Sequence, residues 1–178
     1  HPKADLARRG LALSLYALKL YDKAMPEFAT LLAKPNLEKS INRERLIMLQ
    51  SQCMLNSGRK EEARKLFIAQ LKNLKTPSFK TAALAAICDV FFEKSEWVLV
   101  VEWTGKLSAS KPSASQAARA LYQRGFAFYQ TKKTKEAVES LAKVSALETS
   151  PQWKTLSAYL LGECHTILKE YQNTGFLN

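Results

Sequence analysis

Glycine and proline are scarce, with six of each in 178 residues, about half their ordinary combined usage of ~12%. That scarcity disfavours a turn-rich β-sandwich, a collagen-like segment and a Pro/Ser linker. Long apolar runs are missing as well. A charge-free stretch such as Gly10–Leu18 falls well short of the ~20 residues that span a bilayer, so no transmembrane segment is expected. No charged start leads into a short apolar region, so no signal peptide is expected within the sequence. Cysteine is limited to Cys53, Cys88 and Cys164, an odd number, widely spaced and without a C-x-x-C pair. This fits neither a zinc site nor a disulfide framework. All three lie among apolar residues in helical patterns, where a free thiol behaves as a small buried hydrophobe.

Chemistry is also thinly represented. The two histidines are the terminal His1 and His165, the latter expected on the packed side of its helix. Cys164 and His165 are adjacent, but successive helical residues point about 100° apart, which does not make a thiolate–imidazole pair. None of the motifs G-x-x-x-x-G-K-[ST], G-x-G-x-x-G, H-E-x-x-H or G-x-S-x-G occurs. No enzyme activity, cofactor or metal site is expected.

What is present is apolar residue and positive charge. Hydrophobic residues make up 47%, enough for a packed core, and the length suits one domain over 1–178. Lys and Arg number 27 against 16 Asp and Glu, a net charge of +11. Residues 1–89 hold 16 basic and 8 acidic side chains, and 90–178 hold 11 and 8. The densest run, Arg59, Lys60, Arg64, Lys65, Lys72 and Lys75, is interleaved with Glu61 and Glu62. Such mixing reads as a solvated helix face rather than a nucleic-acid stripe.

The chain repeats itself. Small residues recur at Ala12, Ser51, Cys88, Gly125 and Gly162, at spacings of 39, 37, 37 and 37. Three residues later stand Leu15, Met54, Phe91, Phe128 and His165. In the same register come Ala24, Ala63, Val100 and Ala137, followed four residues on by Phe28, Phe67, Thr104 and Leu141. Pro35, Pro77, Pro112 and Pro151 fall near the unit ends. Each unit reads as two amphipathic helices joined by a short polar turn: Asn56–Gly58, Glu93–Ser95 and Thr131–Thr134 are such turns. Thr76 before Pro77 and Ser150 before Pro151 read as N-caps followed by Pro at the first helical position. Pro26 is expected in the first turn of its helix, and Val98–Val101 could be read as strand. The small side chains let paired helices approach, and one hairpin cannot bury both faces alone, so units must stack.

These residues resemble the tetratricopeptide repeat, which has a small residue, an aromatic three later, an Ala, a Phe and a terminal Pro. Leu121, Gly125, Phe128, Ala137 and Leu141 carry the pattern best; Leu161, Gly162 and Tyr171 carry it in a fifth, partial unit. The resemblance implies an all-α, right-handed superhelical solenoid of stacked antiparallel helix pairs. About four and a half repeats are expected, near 5–43, 44–80, 81–117, 118–154 and, in part, 155–178. The period near 37 and the Pro-Ser pairs Pro77–Ser78 and Pro112–Ser113 are similar to repeats of bacterial envelope proteins such as the outer-membrane barrel-assembly lipoprotein and the Tol-Pal coordinator protein. That similarity implies a periplasmic or envelope location, whereas unpaired cysteines point to a reducing compartment such as the cytoplasm.

In this architecture the first helices line a concave groove that takes a partner's helix or extended segment. On the fourth unit Tyr122, Phe126 and Tyr129 form a second i, i+4, i+7 stripe. Arg9, Leu13 and Tyr16, then Met48, Gln52 and Leu55, then Ala85, Asp89 and Phe92, then Tyr159, Glu163 and Thr166, are the corresponding residues elsewhere. Arg9, Arg45, Arg119, Gln52 and Gln123 would supply polar contacts. The Lys/Asn clamp by which some repeats of this class hold an acidic terminus is absent at the matching positions. The expected function is a protein-interaction scaffold with a protein or peptide partner. The rivals are a basic adaptor that binds nucleic acid or anionic lipid through 59–75, and a structural spacer within a larger protein. The apolar circumference of 159–168 leaves two expectations for that end, namely further chain, or a partner or second copy bound through the C-terminal helix.

Overall fold

The 37-residue register is a register of burial. In the computed structural model, which describes residues 2–173 with the side chains of 3–169, Ala12, Ser51, Cys88 and Gly125 are all buried. So are Ala24, Ala63, Val100 and Ala137, each 0% exposed. The larger residues that follow them, Phe28, Phe67, Thr104 and Leu141, are buried as well. Side-chain expectations for His1 and Tyr171 and everything over 174–178 lie outside the described residues.

Among the described residues nine α-helices follow one another: α1 (Pro2–Ala17), α2 (Tyr21–Leu32), α3 (Arg43–Asn56), α4 (Lys60–Gln70), α5 (Pro77–Glu93), α6 (Trp97–Ala109), α7 (Ala114–Gln130), α8 (Thr134–Ser145) and α9 (Pro151–Asn173), with a 3-10 turn at Leu71–Asn73. There is no strand among the described residues. Val98–Val101 is helical within α6. The fold is all-α and built from consecutive helical hairpins, whose short turns make paired helices antiparallel.

The chain divides into two compact units, 1–83 and 84–178. In the first, α1 packs on α2, α2 on α3 and α3 on α4. Its core joins Ala12, Ala24, Phe28, Leu31, Leu46 and Cys53. In the second, α6 packs on α7, α7 on α8 and α8 on α9, and the first helices α7 and α9 also touch directly. Ala137, Leu141, Leu160 and Cys164 form a core cluster there.

The hairpin turns share a backbone device. Lys19, Gly58, Ser95 and Lys132, each seven residues after its small landmark, have positive φ values of 59°, 75°, 58° and 59°. The N–H of each donates to the carbonyl three back, as Lys132 does to Tyr129. The following N–H reaches the carbonyl five back: Leu20 to Leu15, Arg59 to Met54, Glu96 to Phe91 and Lys133 to Phe128. This paired 6→1 and 5→2 closure satisfies the last carbonyls of the helix and reverses the chain. Three of the four left-handed positions carry a side chain, and for an L-residue that conformation costs about 1–2 kcal/mol. Lys132→Gly should therefore stabilise the second unit by about 0.5 kcal/mol, net of the extra chain entropy of Gly. Gly58→Ala should cost the first unit about 1 kcal/mol; urea denaturation midpoints of the two variants check both.

Two expectations are corrected here. Pro26 is the sixth residue of α2 rather than in its first turn, because the tight turn ends at Leu20 and the helix starts at Tyr21. The backbone bond that Pro26 cannot donate is lost on an exposed side of the helix. His165 is exposed, because the surface it lies on packs against a second helix in the preceding units and meets none among the described residues of this one. Gly162, the fifth small landmark, is likewise exposed, with open space where a Cβ would stand.

Candidate partner-binding face

The start of α7 is set by a reciprocal cap. The Ser113 hydroxyl accepts from the Gln116 N–H at 3.3 Å, and the Gln116 side chain accepts from the Ser113 N–H at 3.0 Å. One stripe of α7, including Gly125, then faces α8. A Cβ built on Gly125 would stand 2.6 Å from Leu141 Cγ. The neighbouring stripe holds Tyr122, Phe126 and Tyr129, all half-buried.

That stripe is part of a continuous aromatic ladder within the second unit. Phe92 of α5 lies 5.4 Å from Phe126 and 6.4 Å from Tyr122. Trp97, opening α6, lies 5.6 Å from Phe126 and 5.8 Å from Phe92. Trp153 of α9 lies 5.7 Å from Tyr122, and Tyr129 lies 6.4 Å from Phe126. The tilted and edge-on geometries are those that aromatic quadrupoles favour, each worth about 0.5–1.5 kcal/mol beyond area burial. Burial raises the Tyr122 hydroxyl above its ordinary pKa, so the residue is a neutral phenol. The ladder's partly open rings offer an amphipathic contact surface.

Arg119 gives the ladder a polar edge. Its guanidinium is 2.8 Å from the Asp89 carboxylate and 5.9 Å from the Trp153 ring centroid. Gln123 also donates to Asp89, at 2.8 Å, and is buried. The structure thus places Gln123 in the interior, where it fixes Asp89. Tyr159 is 72% exposed, and Leu156 one turn earlier is also exposed. Sequence reasoning missed an apolar cleft in this unit, about 180 Å³, whose lining includes Trp97, Val98, Val101 and Phe128. The signal for it was the run Val98–Val101, apolar on more sides than one hairpin core requires.

In the first unit Tyr16 is half-buried and packs edge-on against Tyr21 at 5.7 Å. Met48 is half-buried and Gln52 is exposed, donating to Asn56 on its own helix at 3.1 Å. Arg9 and Arg45 meet at a cleft of about 110 Å³ between α1 and the start of α3. Along the basic run, Arg59 pairs with Glu62 and Arg64 with Glu61, each at 2.5 Å, so part of its charge is neutralised within α4 and the residue that precedes it.

The thiols are placed as core. Burial pushes Cys53 up to about 11 and Cys88 to about 12, and it raises Cys164 as well. Cys164 is buried while its neighbour His165 is exposed, so the two share no surroundings. No group of side chains suited to a metal ion occurs among the described residues, and no described helix is long and apolar enough to cross a membrane.

Comparison with known families matches residues 119–147 to the tetratricopeptide repeat. The match covers α7 from Arg119 through the end of α8, the hairpin that carries Tyr122, Gly125, Phe126 and Ala137. No curated protein matched the chain. Repeats of this family typically act as non-catalytic scaffolds for protein–protein contact.

Proposed function

We propose, from the premise that residues 119–147 are a tetratricopeptide repeat, that the protein is an interaction scaffold gripping a partner's helix or extended segment on its first helices. The observation that carries this reading is the ladder of partly open rings along α5, α7 and α9, edged by Arg119 and flanked by the exposed Tyr159. Aromatic and Arg side chains dominate binding energetics at protein interfaces. A face already held by ring–ring contacts loses little side-chain freedom when a partner arrives. The 37-residue period and the Pro-Ser unit ends support a place in a bacterial envelope assembly by their similarity to repeats of that kind.

Photo-crosslinking tests the face. A photoreactive phenylalanine analogue at position 159 should capture a discrete partner from extract of the source cells. The same residue at exposed Lys143 on α8 should not. Tyr122→Ala with Arg119→Gln should reduce the capture at 159 at least about tenfold, since two interface anchors at about 1 kcal/mol or more each are removed. Equal capture at 159 and 143 would contradict the reading.

A further inference from the structure

The guanidinium groups of the two arginines that line the cleft of the first unit have no ion or hydrogen-bond partner among the described residues, whereas the charged side chains beside them in sequence are engaged. On α1, Arg8 pairs with Glu27 at 2.7 Å. At the start of α3, Arg43 donates to the carbonyls of Leu32 and Lys34, and Glu44 accepts from the Thr76 N–H at 2.8 Å. Arg9 and Arg45 instead border the same cleft, whose lining contains no acidic residue. Ser40 and Asn42 add polar atoms to its wall, and Leu13 and Leu49 add apolar ones. Asn42 Oδ1 already accepts from the Arg45 N–H at 2.9 Å, capping α3.

We infer that this cleft takes a carboxylate side chain, Glu or Asp, from the bound polypeptide, an assignment that rests on the scaffold reading above. Arginine presents a planar fork matched to a carboxylate, and here two such groups face a space without a counter-charge. The start of α3 adds the positive end of a helix dipole. At about 110 Å³ the cleft has room for a side chain. Leu13 and Leu49 suit the methylenes that precede a carboxyl group; a phosphate chain would have nothing to offer them. The excess of basic over acidic residues in 1–89 steers acidic segments toward this unit.

The test uses the whole chain with ¹⁵N-labelled arginine, in which Arg9→Gln and Arg45→Gln identify the two Nε–H signals. Acetyl-Ala-Leu-Glu-Leu-Ala-amide at millimolar concentration should shift both signals, and its Gln counterpart should bind at least about tenfold more weakly, the difference between a charge-assisted pair and a neutral hydrogen bond. Arg45→Gln should weaken the Glu peptide about tenfold with helicity unchanged by circular dichroism, while Lys143→Gln, at an exposed position of α8, should leave it unaffected. Equal binding of the Glu and Gln peptides would overturn the assignment. So would inorganic phosphate shifting both signals as strongly as the Glu peptide, or a 20-nucleotide single-stranded RNA binding more tightly with a steep loss in salt. Crosslinking at 159 that persists while the Glu peptide fails would sink the cleft alone; loss of crosslinking with the Glu peptide still bound would sink the scaffold reading alone.

Discussion

Phe28→Ala should unfold the first unit at temperatures where the rest of the chain is intact. Phe28 is 0% exposed and is enclosed by Ala12, Ala24, Leu31 and Leu46 in one core cluster. Its truncation leaves a cavity that well-packed helices cannot close, at a cost of about 3–5 kcal/mol. For a unit of this size each kcal/mol lowers Tm by about 4–8 °C, so a drop of more than about 12 °C is expected. Scanning calorimetry reads it directly. A loss below about 1 kcal/mol would mean that the second helix of the hairpin is not seated where the structure has it.

Gly125→Val should be nearly as damaging, for the opposite reason. The added Cβ would lie 2.6 Å from Leu141 Cγ, 2.7 Å from Leu141 Cδ2 and 3.4 Å from the Ala137 carbonyl oxygen. The first two are closer than real contacts allow, and two further methyls would follow the Cβ into the α7–α8 seam. Overpacking of this kind costs about 3 kcal/mol at the top of its usual range. Gly10 provides the control. It is also helical, but nothing stands within 4 Å of its would-be Cβ. Gly10→Ala should therefore gain up to about 1 kcal/mol of helix propensity. Adding Leu141→Ala to Gly125→Val should cost less than the sum of the two, because the second change vacates the space the first invades. Additive losses in urea denaturation would show that Gly125 and Leu141 do not meet.

These two positions also show why so much of the fold was legible. A small residue and a large one, sixteen apart in Ala12–Phe28, Ser51–Phe67 and Gly125–Leu141, are buried on the two helices of one hairpin, and packing of that kind leaves a period in the sequence. The hairpin whose landmarks fit the pattern best, around Gly125 and Ala137, is the one the family comparison matched. Backbone conformation left no such mark. Lys19, Ser95 and Lys132 adopt the left-handed turn although Gly and Asn are the residues that ordinarily announce it, and only Gly58 did. Turn geometry there is imposed by the packed helices on either side.

The face was legible as a stripe but not as a set of roles. Tyr122, Phe126 and Tyr129 follow from helical spacing. Their joining to Phe92, Trp97 and Trp153 needs the stacking of neighbouring helices, which sequence separation hides. Gln123 lies one position round the helix from Tyr122, and that 100° turn takes it from the groove edge into the interior beside Asp89. The cleft of Arg9 and Arg45 depends on a connection, Ser40–Asn42, that has no helical period to read. His165 was misplaced because the repeat pattern assigns each position a neighbour, and the last described unit has no second helix to supply it.

An aspartate scan through α2 and α8 tests the stacked-hairpin register most directly. The account predicts that Ala24→Asp, Phe28→Asp, Ala137→Asp and Leu141→Asp each abolish cooperative unfolding of their unit, since a buried unpaired charge costs several kcal/mol. Substitution of the exposed Lys23, Lys135 and Ala142 should shift stability by no more than about 0.5 kcal/mol. Losses spread evenly along both helices, or maxima that fall out of step between α2 and α8, would contradict it.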